Sequence, residues 1–330
     1  MELNDIIKAQ KRIAGLVKKT KLRESYYLSG MIRGQVLLKL ENLQITHAFK
    51  IRGAANKLSQ IKKEHQEIIT ASSGNHGQAI ARASRELGLS VTIIIPEVTP
   101  EKKRELILKY GASFIVHGKT VDQAETYGRK VAEKDGKQYV SPYNDPDIIA
   151  GQGTIGLELT EQCPDLQSVL VPVGGGSLIS GVAIAIKERY PDIQIIGVQP
   201  ENDAAMYHCI KVGSILSSEE YPHSPTLADG LAGGIEQNSI TFPLVQKYVD
   251  QILLVREQSI KKAIYLLWEK EKLIVEGAGA VGIAAMMENP ELFLKQKIVI
   301  IISGGNIDQN LFNNITKNFQ TNVINISNPS

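Results

Sequence analysis

Val169-Leu170-Val171-Pro172-Val173-Gly174-Gly175-Gly176-Ser177-Leu178 is an apolar run, a turn without obstructing side chains, and the start of a helical pattern that continues to Arg189. An uninterrupted apolar strand, as opposed to an alternating one, belongs to a sheet covered on both faces. The same unit recurs along the chain. Apolar runs at 36–40, 68–71, 91–95, 114–116, 193–198, 252–255 and 298–302 alternate with helical patterns at 50–63, 76–87, 101–110, 121–134, 178–189 and 259–271. The expected class is α/β, with mainly parallel sheets flanked by helices.

In such sheets the loops at the carboxyl ends of the strands build the ligand site. Three motifs share that address: Ser72-Ser73-Gly74-Asn75-His76 after Ala71, Gly174-Gly175-Gly176-Ser177 after Val173, and Ser303-Gly304-Gly305-Asn306 after Ile302. Successive backbone N–H groups of the glycine turn, backed by a helix N-terminus, suit a phosphate. No Gly-Lys-Ser/Thr follows it, so it is not a nucleotide P-loop. The Ser72–His76 segment offers hydroxyls, N–H groups and an amide to a ligand, with an ordinary helix cap as the plainer alternative. Ser303 is equally compatible with a cap.

Lys50 follows Thr46-His47-Ala48-Phe49 at the start of a helical pattern. A lysine there is ordinarily a solvated helix residue. Burial beside an apolar ring such as Phe49 would lower its pKa, as a Schiff-base lysine requires. Gly277-Ala278-Gly279-Ala280-Val281-Gly282 fits G-x-G-x-x-G, but the acidic residue that a dinucleotide site needs about 20 positions later is missing. These glycines are read as a close helix contact, with Glu276 facing the ligand cleft.

A formal charge of +2, with 43% hydrophobic and 22% charged residues, gives no reason to expect nucleic acid or a membrane surface as partner. A small molecule is expected. Cys163 and Cys209 have no zinc-ligand spacing, and the six histidines form no His-x-x-x-His pair. There is no Gly-x-Ser-x-Gly elbow for a hydrolase. Residues 1–14 lack the apolar core of a signal peptide and no run reaches the ~20 apolar residues of a membrane span, so cytoplasmic residence is expected. The segment 221–234 is expected to be irregular, and the Asn-rich tail from Asn313 is read as a helix end followed by a frayed terminus.

In this order the motifs resemble the serine/threonine dehydratases of the pyridoxal-phosphate fold type II group, related to serine racemase, over nearly the whole chain. Thr226-Leu227-Ala228-Asp229-Gly230-Leu231-Ala232-Gly233-Gly234 and Ile274-Val275-Glu276-Gly277-Ala278-Gly279-Ala280 place it near threonine dehydratase-like enzymes, including those of hydroxyectoine utilisation. The resemblance implies pyridoxal 5'-phosphate as cofactor. It makes Lys50 the lysine that carries the cofactor and later the base at Cα. Phe49 would back the ring and Asn75 bond its phenolic oxygen; Gly174, Gly175, Gly176, Ser177 and Leu178 would cradle the phosphate and Ser303 bond the ring nitrogen. Ser72, Ser73 and His76 would surround the substrate carboxylate, with Glu276 and Gly230 on the substrate side. A hydroxyl partner at the ring nitrogen favours elimination over chemistry that needs a long-lived carbanion.

The implied activity is dehydration of L-threonine, L-serine or a related β-hydroxy amino acid to a 2-oxo acid and ammonia. Serine racemase is the alternative, supported by Ser73, which in racemases reprotonates Cα. A non-catalytic cofactor-binding protein is a remote third reading. The metal site of the racemases aligns with Gln199, Asp203 and Ala205, so no metal is expected. The usual Thr-Gly-Ser-Phe-Lys is Thr46-His47-Ala48-Phe49-Lys50 here, which would add an imidazole beside the cofactor lysine. Two domains are expected: a large one from 1–66 and 148–330, and a small mobile one at 67–147 that closes over the substrate. A homo-oligomer, dimer or tetramer, is usual among such enzymes.

Overall fold

The computed structural model describes residues 1–61 and 67–327, with the backbone alone described from 321. The chain begins with helix α1 (Leu3–Arg12), strand β1 (Leu22–Glu24), helix α2 (Tyr26–Ile32), strand β2 (Gln35–Lys39) and helix α3 (Lys50–Leu58). A βα alternation follows: β3 (Ile68–Ala71), α4 (Asn75–Leu87), β4 (Val91–Ile95), α5 (Glu101–Lys109), β5 (Ser113–Val116), α6 (Val121–Lys134) and β6 (Gln138–Tyr139). Next come α7 (Pro146–Gln162), β7 (Ser168–Pro172), α8 (Ser177–Lys187), β8 (Gln194–Pro200), α9 (Ala205–Val212) and α10 (Thr241–Tyr248). The chain closes with β9 (Gln251–Val255), α11 (Glu257–Glu271), α12 (Gly277–Glu288), β10 (Lys297–Ile301) and α13 (Gln309–Ser327).

The strands separate into two sheets. One has the order β1-β2-β10-β7-β8-β9 and the other β5-β4-β3-β6. Every pairing is parallel except β1 with β2. The six-stranded sheet is covered on both faces, by one apolar cluster containing Val281, Ile264 and Ile300 and another containing Ile179, Val182 and Ile301. Continuous burial of β7 and of β10 beyond Lys297 matches their uninterrupted apolar sequence. Residues 68–139 supply the whole of the four-stranded sheet, and none of the six-stranded one.

Each strand read from sequence is present. The helical pattern at 50–63 ends earlier, at Leu58, and its last two residues lie outside the described ones. Residues 313–327 belong to α13, where the sequence reading placed only a helix end, because Leu311, Phe312, Ile315 and Phe319 pack onto the apolar cluster beneath α11 and α12. The frayed terminus expected after that helix end falls at residues 328–330, outside the described residues. No helix among the described residues is long and apolar enough to cross a membrane.

Candidate active site

A cleft of about 450 Å³ opens between the two sheets, and the three loop motifs and Lys50 all line it. The lysine is placed by a backbone weld. The segment ahead of α3 runs antiparallel to the loop after β10, with Phe49 N–H donating to Ser303 O at 3.0 Å and Gly305 N–H to His47 O at 2.8 Å. Ala48 and Gly304 bridge between them. Lys50 and Ser303 therefore come to the same wall although 253 positions separate them, the difference of 303 and 50.

From the first residue of α3, Lys50 sends Nζ to Pro142 O at 2.9 Å and past the Phe49 ring, 5.3 Å from its centroid. No carboxylate pairs with it among the described residues. Burial alone lowers its pKa from 10.5 to about 8.

His47 departs from the sequence reading. Its side chain is exposed and does not line the cleft, so no imidazole is added beside Lys50. Its backbone is left-handed at φ 56°, which swings the ring outward while its carbonyl serves the weld to Gly305.

Ser72, Ser73, Asn75 and His76 all reach the cleft. Gly74 caps α4 without a side-chain bond, and the Ser72 hydroxyl accepts the Gly74 N–H at 3.2 Å, so the hydroxyls are not helix caps. Asn75 Nδ2 donates to Glu276 Oε1 at 2.7 Å, and its Oδ1 accepts Asn306 Nδ2 at 2.7 Å. One N–H of its amide stays free for a ligand.

The His76 ring is buried, with Nε2 3.0 Å from Thr70 Oγ1. That hydroxyl donates its only proton to Val140 O at 2.8 Å, which makes Nε2 the protonated nitrogen. Nδ1 is buried without a partner among the described residues and can only accept. Burial, then the nearby Lys50 charge, lowers the imidazole pKa from 6.5 to about 3. A substrate carboxylate would therefore meet this residue through its backbone, not its ring.

The glycine turn between β7 and α8 keeps the expected form. Gly176 caps the eleven-residue α8 at φ 87°, and among the described residues no protein group accepts the N–H of Gly174, Gly175 or Gly176. Ser177 and Leu178 follow at the helix start and line the cleft with them. Tyr143, which sequence reading missed, packs over this turn so closely that a Cβ on Gly175 would sit 2.4 Å from its ring. Its signal was weak, because Tyr143 follows the two-residue strand β6.

Glu276 caps α12, 8% exposed, and faces the cleft as expected. Burial, then the Asp229 charge, raises its pKa to about 7, against the bonds from Asn75 and the Asn306 backbone. The α12 glycines are contact points: a Cβ on Gly279 would meet Gly304 O at 2.6 Å and one on Gly277 the Leu227 carbonyl at 2.0 Å. Gly230 lines the mouth beside Asp229 and Leu231, and Lys103, Asp122 and Glu125 line it from α5 and α6.

Gln199 accepts the Tyr207 N–H at 2.8 Å and Asp203 accepts the Gly233 N–H at 3.0 Å. Among the described residues no three His, Cys, Asp or Glu side chains gather as a metal site.

Residues 13–304 match the family described as pyridoxal-phosphate dependent enzyme. The chain belongs to that family, and pyridoxal phosphate is its cofactor. It is 44% identical over 315 residues to an L-threonine ammonia-lyase of Thermotoga maritima, covering 95% of this chain and 77% of that protein. With the catabolic L-threonine dehydratase TdcB of Escherichia coli K12 it shares 38% identity over 318 residues, 95% of each chain. Among solved structures it superposes on maize serine racemase with a TM-score of 0.89 and 34% identity, covering 97% and 98% of the two chains. A threonine deaminase from T.th. gives a TM-score of 0.86 with 37% identity, covering 93% and 99%. The fold is the two-domain fold type II of these enzymes.

Proposed function

We propose that the protein is an ammonia-lyase that converts L-threonine, L-serine or both to 2-oxobutyrate or pyruvate and ammonia by β-elimination. The observation that carries this reading is the Lys50 amine, partly desolvated, on the wall of a cleft that also presents Ser303, Asn75 and three glycines; among the described residues no carboxylate pairs with the amine and no group accepts the glycine N–H groups. The two threonine ammonia-lyase and dehydratase relatives and the threonine deaminase structure, at 37–44% identity, point the same way.

The residues fit the cofactor. The glycine turn at the N-terminus of α8 supplies N–H donors and a favourable dipole for a phosphate, with Ser177 and Leu178 completing the cradle. Ser303, 2% exposed, would hold the ring nitrogen, Phe49 would back the ring, and Asn75 would reach the phenolic oxygen. Bound there, pyridoxal phosphate supplies an electron sink for the bond broken at the substrate α-carbon.

Lys50 would remove the α-proton, and its lowered pKa keeps more of the amine in the neutral, basic form near pH 8. The N–H groups and hydroxyls at Ser72, Ser73 and the His76 backbone would fix the substrate carboxylate. Glu276 and the Gly230 backbone would close the substrate side. The β-hydroxyl departs as water, which in net carries off the proton taken from the α-carbon, and the unsaturated amine left behind tautomerises and takes up a water to give the 2-oxo acid and ammonia.

Residues 67–147, which hold the four-stranded sheet, form the small domain of this reading and close over the substrate by a hinge motion. The rest of the chain is the large domain. The working form is a homo-oligomer in the cytoplasm.

The experiment is a panel of β-hydroxy amino acids with 2-oxo acid detection, repeated on Lys50→Ala. Activity of the parent on threonine or serine, reduced about 10²- to 10⁴-fold or more in the variant, supports the assignment; an equally active variant sinks it. Racemisation is a second reading, favoured by the Ser73 hydroxyl in the cleft. Chiral chromatography decides: D-serine accumulating faster than pyruvate would replace the lyase by an isomerase.

A further inference from the structure

Outside the cofactor cradle, one polar cluster ties the two sheets together and is not used by the reaction as derived. Its centre is Glu236, in the irregular segment between Leu231 and α10. Its Oε1 accepts Arg129 Nη2 of α6 at 3.0 Å, and its Oε2 accepts Asn144 Nδ2 at 2.9 Å. Its own backbone N–H donates to Tyr143 Oη at 2.9 Å. Arg129 is fixed in turn by Glu125 Oε1 at 2.7 Å and by the face of Tyr139, 4.5 Å from the ring centroid.

Three parts of the chain meet at this one residue. Arg129 and Glu125 belong to the helix that covers the four-stranded sheet, and Glu125 itself lines the cleft mouth. Tyr143 and Asn144 belong to the strip joining that sheet to α7. The Tyr143 ring rests on Gly175, and Thr241, at the end of the Glu236 segment, donates from Oγ1 to Gly175 O at 2.7 Å. Asn144 Oδ1 also accepts the Ile240 N–H at 2.9 Å, so the segment is held at both ends.

We propose that Glu236 is a positioning residue, a latch that Arg129 engages when the 67–147 unit closes and that sets that unit's Tyr143 ring against the phosphate turn. The proposal rests on the reading of that unit as a mobile domain. Opening the unit separates Arg129 from Glu236 and removes the support that keeps Tyr143 on Gly175. Closing it restores both contacts, so the cofactor phosphate is gripped most firmly in the state that encloses substrate. Neither Arg129 nor Glu236 touches the reacting atoms, so the latch acts on binding and not on the proton transfer.

The test is a double-mutant cycle on the holoenzyme with Glu236→Ala, Arg129→Ala and the pair. Two quantities are read: hydrogen exchange of the α6 amides, and KM against kcat for L-threonine. A partly exposed pair, 41% and 23% accessible, sets the scale at about 1.5- to 5-fold. Each single variant should speed α6 exchange and raise KM by that amount, with kcat within about twofold, and the double variant should be no worse than the worse single. Effects that multiply in the double variant, or α6 exchange unchanged in Glu236→Ala, overturn the latch. Should Arg129→Ala fail to fold, exchange in Glu236→Gln, which removes the charge and keeps the length, decides alone. A parent without lyase activity would refute the proposed reaction, while the exchange measurement would still judge the latch.

Discussion

Lys50 and Arg52 stand two residues apart on the same helix, and the protein treats their charges in opposite ways. Arg52 points into the core, wholly buried, and its guanidinium meets Glu41 Oε1 and Oε2 at 2.8 and 2.9 Å, Glu158 Oε1 and Oε2 at 2.7 and 3.0 Å, and the Thr154 hydroxyl at 3.1 Å. Lys39 joins from β2, bonding Glu158, Gln162 and the Thr20 carbonyl. Two cations face two carboxylates, and these bonds stand in place of the lost water. Burial works against the Arg52 charge, but Glu41 and Glu158 more than offset it and raise its pKa. Lys50 has one carbonyl partner and a pKa lowered by burial to about 8. Beside it His76 and Glu276 are also held toward their neutral forms. A buried charge that is fully paired is scaffold; groups left short of partners in a cleft are where chemistry is prepared.

The contrast is broken most directly by deleting each cation. Arg52→Met leaves Glu41 and Glu158 buried with half their partners gone, and removing one member of a buried ion cluster costs about 3–5 kcal/mol. Its urea midpoint should fall sharply, while the fraction still folded keeps its activity. Lys50→Ala should do the reverse, losing activity with stability within about 1 kcal/mol of the parent. A stable Arg52→Met would mean that the core cluster is not what holds α3 to α7.

A finer test uses pH on the cofactor-free protein. The Glu276 carboxyl has a folded pKa of about 7 against 4.5 for an ordinary glutamate, so the folded state prefers it protonated. The sign follows from linkage: this contribution is whole below pH 4.5 and is lost as pH rises through 7. A shift of that size corresponds to roughly 3 kcal/mol. Glu276→Gln removes the ionisation, so its stability relative to the parent should grow between pH 5 and 8. A difference that stays flat across that window would place Glu276 with the compensated charges.

The two regions also differed in how far sequence exposed them. The cleft was legible because its parts are local: each loop sits at the end of an apolar strand, and β3 and β4 have the ends that the apolar runs gave. The core cluster was not, because Arg52 and Glu158 are 106 positions apart and nothing in either neighbourhood marks a partner. Helix α7 was missed for a related reason. Gly151, Gly153 and Gly156 lower its helix propensity, yet a Cβ on Gly151 would lie 2.5 Å from Arg52 O and one on Gly153 2.8 Å from Gly181 O. The glycines that argue against a helix locally are what let it pack between α3 and α8. Tyr143 and Glu236 were hidden likewise, the one behind a two-residue strand and the other in an irregular segment.

The smallest effect belongs to His47, where the weld that places Lys50 meets the backbone's own preferences. A non-glycine residue at φ 56° carries a penalty of about 1 kcal/mol, softened because histidine tolerates the left-handed region better than most. Glycine, which the Thr-Gly-Ser-Phe-Lys pattern has at this place, escapes that penalty but gains freedom in the unfolded chain. His47→Gly should therefore raise stability by only about 0.5 kcal/mol, read as a small upward shift of the urea midpoint. Since the imidazole is exposed and outside the cleft, the ratio of threonine to serine turnover should not move. If that ratio changed several-fold, the ring would have to reach the substrate in the working enzyme, and the division between a solvated surface and a sparsely paired cleft would have to be redrawn at this residue.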